Sequence, residues 1–86
     1  MSCAVDERRV IRLGDATTHG GKVIRASGIC RIEGRPIARI GDLVSCPKCE
    51  GVFSIVEGQT TYCDDSVPVA LHGHKTACGA ILISSE

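Results

Sequence analysis

The chain is 86 residues long, and ten Lys and Arg balance ten Asp and Glu, so it carries no formal net charge and no basic field for nucleic acid. That length makes one domain, residues 1–86, and with only Phe53 and Tyr62 aromatic the core must be aliphatic. No apolar run approaches the ~18 residues of a membrane span, and the polar, acidic residues 1–9 lack the apolar segment of a signal peptide.

Taken in chain order, short apolar runs alternate with Gly, Pro and polar turn residues, and Val and Ile outnumber Leu. That composition predicts an all-β chain of short strands and tight turns. A strand over residues 3–6 is followed by one over 9–13, which leads into the loop Gly14-Asp15-Ala16-Thr17-Thr18-His19. A strand over 22–25 leaves that loop, turns at Ala26-Ser27-Gly28, and is followed by strands over 30–33 and 36–40. The second loop is Gly41-Asp42-Leu43-Val44-Ser45-Cys46, the next outgoing strand is 54–57, and the next turn is Gly58-Gln59-Thr60. Strands over 62–65 and 68–72 lead to the third loop, Gly73-His74-Lys75-Thr76-Ala77-Cys78, and residues 81–84 leave it towards Ser85 and Glu86.

The three loops share the pattern Gly-[Asp/His]-x-x-x-[His/Cys], and the strands before and after them align as well. Three units of strand, loop, strand, turn, strand are too few for a long solenoid, so radial closure into a pseudo-threefold body is expected. The chain starts and stops partway through the same unit, which predicts neighbouring termini. The symmetry breaks once: His19 and Cys78 precede the next apolar position by four residues, whereas Cys46 precedes Ile55 by nine. The second loop thus holds five extra residues, and they include Cys49.

Equivalent loops ending in His19, Cys46 and Cys78 supply three ligands, and a tetrahedral Zn²⁺ needs four. Cys49 is the favoured fourth, since Cys46-Pro47-Lys48-Cys49 has the spacing with which two thiolates reach one ion. His74 is the reserve, although in the slot of Asp15 and Asp42 it equally fits a turn-bracing role. His72, two residues earlier, reads as surface. A thioredoxin-like redox pair at Cys46 and Cys49 is the rival, but that motif sits at a helix start in a βαβ unit and no helix is expected here. Six cysteines also fit a disulfide scaffold; with no signal for an oxidising compartment, a metal site plus inert thiols is favoured. Cys3, Cys30 and Cys63 read as small buried hydrophobes, with a Cys3–Cys30 contact able to oxidise outside the cell.

The motifs Arg12-Leu13-Gly14-Asp15 with Thr18-His19-Gly20-Gly21, Arg35-Pro36-Ile37-Ala38-Arg39-Ile40-Gly41-Asp42 with Cys46-Pro47, and Ala77-Cys78-Gly79-Ala80 resemble the PAAR (proline-alanine-alanine-arginine) repeat family. The tetrapeptide appears as Pro36-Ile37-Ala38-Arg39 and, altered, as Pro68-Val69-Ala70-Leu71. The resemblance implies a small β cone that caps the trimeric VgrG-type spike of the bacterial type VI secretion system. It implies one structural Zn²⁺ near the apex, held here by His19, Cys46, Cys49 and Cys78. It also implies a monomer seated on one spike trimer, effector proteins as further partners, and transient contact with a target membrane. The protein would reside in the bacterial cytoplasm before firing and then be secreted or delivered. Cys49 departs from the family, many of whose members carry His there, and His74 departs from the Asp of the other two loops. No toxin extension is expected.

The end opposite the apex is expected to expose a threefold apolar patch that docks on the spike, around Ala26, Ser27, Gly28, Gly58, Gln59, Thr60, Ser84 and Ser85. The recurring Arg12, Asp15, Arg39 and Asp42 are expected to brace turns. With no Ser/His/Asp set, phosphate loop or paired catalytic carboxylates, no enzyme activity is expected. A zinc-ribbon-like interaction module is the alternative, but it leaves the three repeats unexplained.

Overall fold

The computed structural model describes residues 9–32 and 34–84, with the backbone alone for residues 61 and 62. The described residues form strands and turns without a helix: β1 (Ala16–Thr17), β2 (Val23–Arg25), β3 (Arg31–Ile32), β4 (Arg35–Pro36), β5 (Leu43–Cys46), β6 (Gly51–Ser54), β7 (Gln59–Asp64), β8 (Val67–Val69) and β9 (Leu82–Ile83). β1 pairs with β9, β5 lies between β2 and β6, and β3–β4 and β7–β8 are hairpins. The expected strand over residues 3–6 lies outside the described residues.

Radial closure is written in the backbone. The amide of Ile11 donates to the carbonyl of Ala70 at 3.0 Å, that of Ala70 to Ala38 at 2.9 Å, and that of Ala38 to Ile11 at 2.8 Å, closing a triangle across the three units. All three residues are fully buried. Two of them are Ala, which suits an axis where three backbones converge and little room is left for side chains. A second cycle runs outside the first: Leu13 donates to Pro36, Ile40 to Pro68 and His72 to Arg9. Nearer the loops, Thr17 faces Leu82, Val44 faces Val23, and Ile55 faces Thr76, so each unit hands its outgoing strand to a neighbour.

The loops begin alike for a conformational reason. Gly14, Gly41 and Gly73 have φ of +89°, +94° and +94°, a region that costs a side chain about 1 kcal/mol or more. Just after each glycine, a polar side chain turns back to the strand. Asp15 accepts the Arg12 amide at 2.8 Å, Asp42 the Arg39 amide at 2.7 Å, and His74 Nδ1 the Leu71 amide at 3.0 Å. His74 therefore substitutes for aspartate as a turn acceptor.

The core forms two layers. Ile11, Val23, Ala38, Val44, Ile55, Ala70 and Leu82 pack nearer the loops. Val10, Ile37, Val69 and Leu71 pack farther from them, with Cys30 and Ile32 against them. Each well-buried aliphatic side chain contributes roughly 1.5–3 kcal/mol, so so small a core gains much from further cross-links. The two described ends meet at His72, whose amide donates to Arg9 O and whose Nδ1 accepts the Ser84 amide. His72 is thus half-buried and engaged, where a surface histidine was expected.

Candidate metal centre

The three loops converge through their backbones. Thr18 N donates to Ile81 O, Ser45 N to Lys22 O, and Ala77 N to Ser54 O, a third cycle of interunit bonds. In the first loop the buried Thr17 hydroxyl accepts the amides of His19 and Gly21 and holds the His19 turn. In the third, Thr76 Oγ1 lies 3.2 Å from Cys78 Sγ. The second loop has Val44 in that slot, and the chain runs on as the β5–β6 hairpin, which pairs Leu43 with Ser54 through Cys46 with Gly51. At its tip the Cys49 amide donates to Cys46 O and the Glu50 amide to Pro47 O, folding the inserted residues into a compact turn. That turn returns Cys49 over the end of β5.

His19, Cys46, Cys49 and Cys78 each present a ligand atom, and all four atoms lie within 4.8 Å of one another. Cys46 Sγ is 3.4 Å, and Cys78 Sγ 3.8 Å, from His19 Nδ1. Tetrahedral bonds of about 2.0–2.3 Å place donor atoms about 3.3–3.8 Å apart, a range that holds both distances from His19. Three sulfurs and one imidazole are the donors that borderline and soft metals select. This group can hold a metal ion. His74 lies outside it, its Nδ1 already taken by the Leu71 amide.

The electrostatics of the group fit the same chemistry. Burial, together with hydrogen bonds shared with Cys78 and Cys49, pushes the Cys46 thiol up to about 11. Burial also raises Cys78, but hydrogen bonds from Thr76, the Ala80 amide, Cys46 and His19 outweigh it and pull Cys78 down to about 6. Cys46 thus keeps its proton where Cys78 gives its up, and a bound cation would displace the proton on Cys46.

Of the residues expected to meet a partner, Gly28 and Gln59 lie against the second core layer, on Ile37 and Val69. The Ser27 amide and hydroxyl both donate to Asp42, and Arg39 Nη2 donates to Ser27 Oγ at 3.0 Å. The Gly28 amide donates to Ile37 O, and a Cβ on Gly28 would collide with that carbonyl. Gly58 backs onto Ile40 and Pro68, Gln59 pairs with Val69, and Thr60 is exposed. Ala26 packs against the first core layer, Ser84 is buried, and Ser85 lies outside the described residues.

Two expectations for the other cysteines need correction. Cys63 is exposed, because β7 alternates and turns the neighbouring Asp64 inward instead. Cys30 is half-buried and disulfide-bonded, not an inert thiol; Cys3, the partner proposed for it, lies outside the described residues. Cys46, Cys49, Cys63 and Cys78 are free, so a disulfide scaffold does not explain the loops. Sequence reasoning also missed Asp64. Its carboxylate accepts the amides of Ile29 and Cys30 at 3.0 Å each and pairs with Arg39 at 3.3 Å, across contacts no local pattern announces.

No curated protein matches the chain. The family model described as PAAR motif matches residues 13–84, a span that contains the three loops and all four residues of the cluster. With the model covering most of its 86 residues, the chain belongs to the PAAR-motif family.

Proposed function

We propose that this protein caps and sharpens a trimeric VgrG-type spike, with one structural Zn²⁺ joining its three loops at the apex. Membership in the PAAR family implies a spike-tip role in the type VI secretion system and association with a VgrG spike. The motif is that of a structural spike tip within a machine whose parts are secreted or delivered, and the family is not an enzyme family.

One observation carries the proposal: the closed triangle of amide bonds among Ile11, Ala38 and Ala70, in a body whose single four-donor cluster among the described residues lies where the loops meet. A pseudo-threefold body can present near-equivalent contacts to each chain of a true trimer. The ion would be held by His19 from the first unit, Cys46 and Cys49 from the second and Cys78 from the third. Four protein donors leave no open position for water, so its work is mechanical. It would tie together three loops that the small core alone holds weakly, with apparent energies of ~10–16 kcal/mol for structural zinc in small domains. Puncture of a target membrane and carriage of effectors follow from that rigidity in this scheme.

The docking face is proposed at the second core layer, around Ser27, Gly28, Gly58, Gln59 and Thr60, with Ala26, Ser84 and Ser85 beside them. Ile29, 67% exposed next to Gly28, supplies an apolar contact there. Light scattering on a mixture with a trimeric VgrG-type spike should give one copy of this chain per trimer. Absence of a complex with folded, metal-loaded protein would refute the capping role. A zinc-ribbon-like module is less favoured, because the second pair of donors comes from two further repeats and not from a second Cys-x2-Cys.

A further inference from the structure

The cluster is unevenly enclosed. Cys46 is buried, His19 and Cys78 are half-buried, and Cys49 is exposed. Pro47, Lys48, Cys49, Glu50 and Gly51 form a run of exposed residues at the β5–β6 tip. Cys49 thus stands on the outside of the cluster, with a buried sulfur three residues behind it.

The turn that carries it suits a second bond. The 3.2 Å bond from the Cys49 amide to Cys46 O folds the two residues back on each other, and both sulfurs belong to the group within 4.8 Å. A disulfide needs its Cα atoms about 4.4–6.8 Å apart, which a tight turn between residues i and i+3 satisfies. Glu50, at φ +54°, follows at once, in the turn before β6 begins at Gly51. Closing the S–S bond joins two sulfurs that already lie within 4.8 Å of each other. His19 and Cys78, seated on the other two loops beside Thr17 and Thr76, stay as they are.

We propose that the apex is oxidant-sensitive, with Cys49 the reactive sulfur and Cys46 its resolving partner, so that a peroxide converts the metal-holding pair into a disulfide and expels the ion. This rests on the proposal that the cluster holds zinc. In the first step the Cys49 thiolate attacks one peroxide oxygen, an S–O bond forms, the O–O bond breaks, and the departing hydroxide takes a proton to become water. In the second the Cys46 thiolate attacks the Cys49 sulfur, the S–S bond forms, the S–O bond breaks, and the departing hydroxide takes a second proton from solvent to leave as water. Two electrons pass from the two sulfurs to the peroxide oxygens. Loss of two of its four donors leaves the ion on His19 and Cys78 alone, too few for a closed tetrahedral site.

The test uses the Cys63→Ser chain, which removes the exposed thiol outside the cluster. Zinc is first measured by mass spectrometry of metal content, then hydrogen peroxide is added and released zinc is followed with a chromogenic chelator. Trypsin cuts after Arg39, Lys48 and Lys75, placing Cys46, Cys49 and Cys78 on the separate peptides 40–48, 49–75 and 76–86. Expected are one zinc released per chain oxidised and a cross-link between peptides 40–48 and 49–75. In Cys49→His an imidazole replaces the reactive sulfur, and the zinc should stay under the same dose. Zinc retained while Cys49 stays reduced, a cross-link to peptide 76–86 instead, or equal loss from Cys49→His would each overturn the proposal with the zinc site intact. Absence of zinc before oxidant is added would overturn the metal site on which it rests.

Discussion

His74 and Cys49 divide the work that the sequence left between them. His74 Nδ1 accepts the Leu71 amide as the carboxylates of Asp15 and Asp42 accept those of Arg12 and Arg39. His74→Ala should therefore keep its metal but lose about 1–3 kcal/mol in denaturant unfolding, because an amide loses its acceptor. His74→Asp should restore most of that loss. Cys49→Ala should do the reverse, purifying with less than one zinc per chain while retaining its β-sheet circular dichroism. Titration of Cys78 makes metal uptake pH-dependent. Above a pH of about 6 Cys78 is already a thiolate, and below it the ion must displace one proton more. Metal affinity should thus fall more steeply as pH drops through about 6, which competition with a chelator across that range would measure. A flat profile would contradict the assignment of Cys78 as a ligand.

At the scale of elements, the β5–β6 hairpin is the one place where the described repeat units diverge in length. Shortening it by the five inserted residues, to match the other loops, would remove Cys49 and its turn. The expected product keeps the amide triangle of Ile11, Ala38 and Ala70 but fails to hold zinc. Mass spectrometry for the metal and hydrogen exchange for the triangle amides would separate these effects. Two glycines test how tightly the loops are seated. A Cβ on Gly21 would run into the backbone carbonyl of Ser45, on the neighbouring unit's β5, whereas one on Gly41 meets nothing within 4 Å. Gly21→Ala should be the more damaging, costing about 3 kcal/mol or more as backbone is forced apart. Gly41→Ala should cost about 1–2 kcal/mol for its positive φ alone.

For the whole molecule, the small core and the proposed metal divide the stability between them. An ion bound to the folded chain and not to the unfolded one raises the melting midpoint, and chelation should lower it by well over 10 °C for a domain of this size. The second core layer and the docking face next to it should be insensitive to that removal at low temperature. Ile29→Asp tests the face: it should weaken binding to a trimeric spike by about tenfold or more while leaving metal content unchanged. Unaltered binding would move the interface away from Gly28 and Ile29.

The sequence by itself determined the repeat, and with it most of the architecture. Three aligned loops announced three units and their radial closure, because each unit repeats the same backbone demands at Gly14, Gly41 and Gly73. The strand bounds fall elsewhere than the sequence suggests: residues 9–13 and 37–40 make only isolated cross-unit bridges, and β1 and β5 lie inside two of the segments read as loops, since pairing partners on other units decide where a ladder forms. The sequence also singled out His19, Cys46 and Cys78, whose equivalent places in a ring bring them together, and Cys49 by its spacing from Cys46; the four form a group that can hold a metal ion. Only the tertiary structure decided the roles that depend on another unit's backbone. Asp64 serves amides more than thirty residues away, Ser27 is tied to Asp42 and Arg39, and Ser84 is drawn inward to His72. Cys63 and Asp64 exchange inside for outside by the alternation of one short strand, whose register is fixed by its pairing with β8. Repetition is visible along a chain, because it recurs in residue type and spacing. Which polar group meets which amide is settled in space, after the strands have closed.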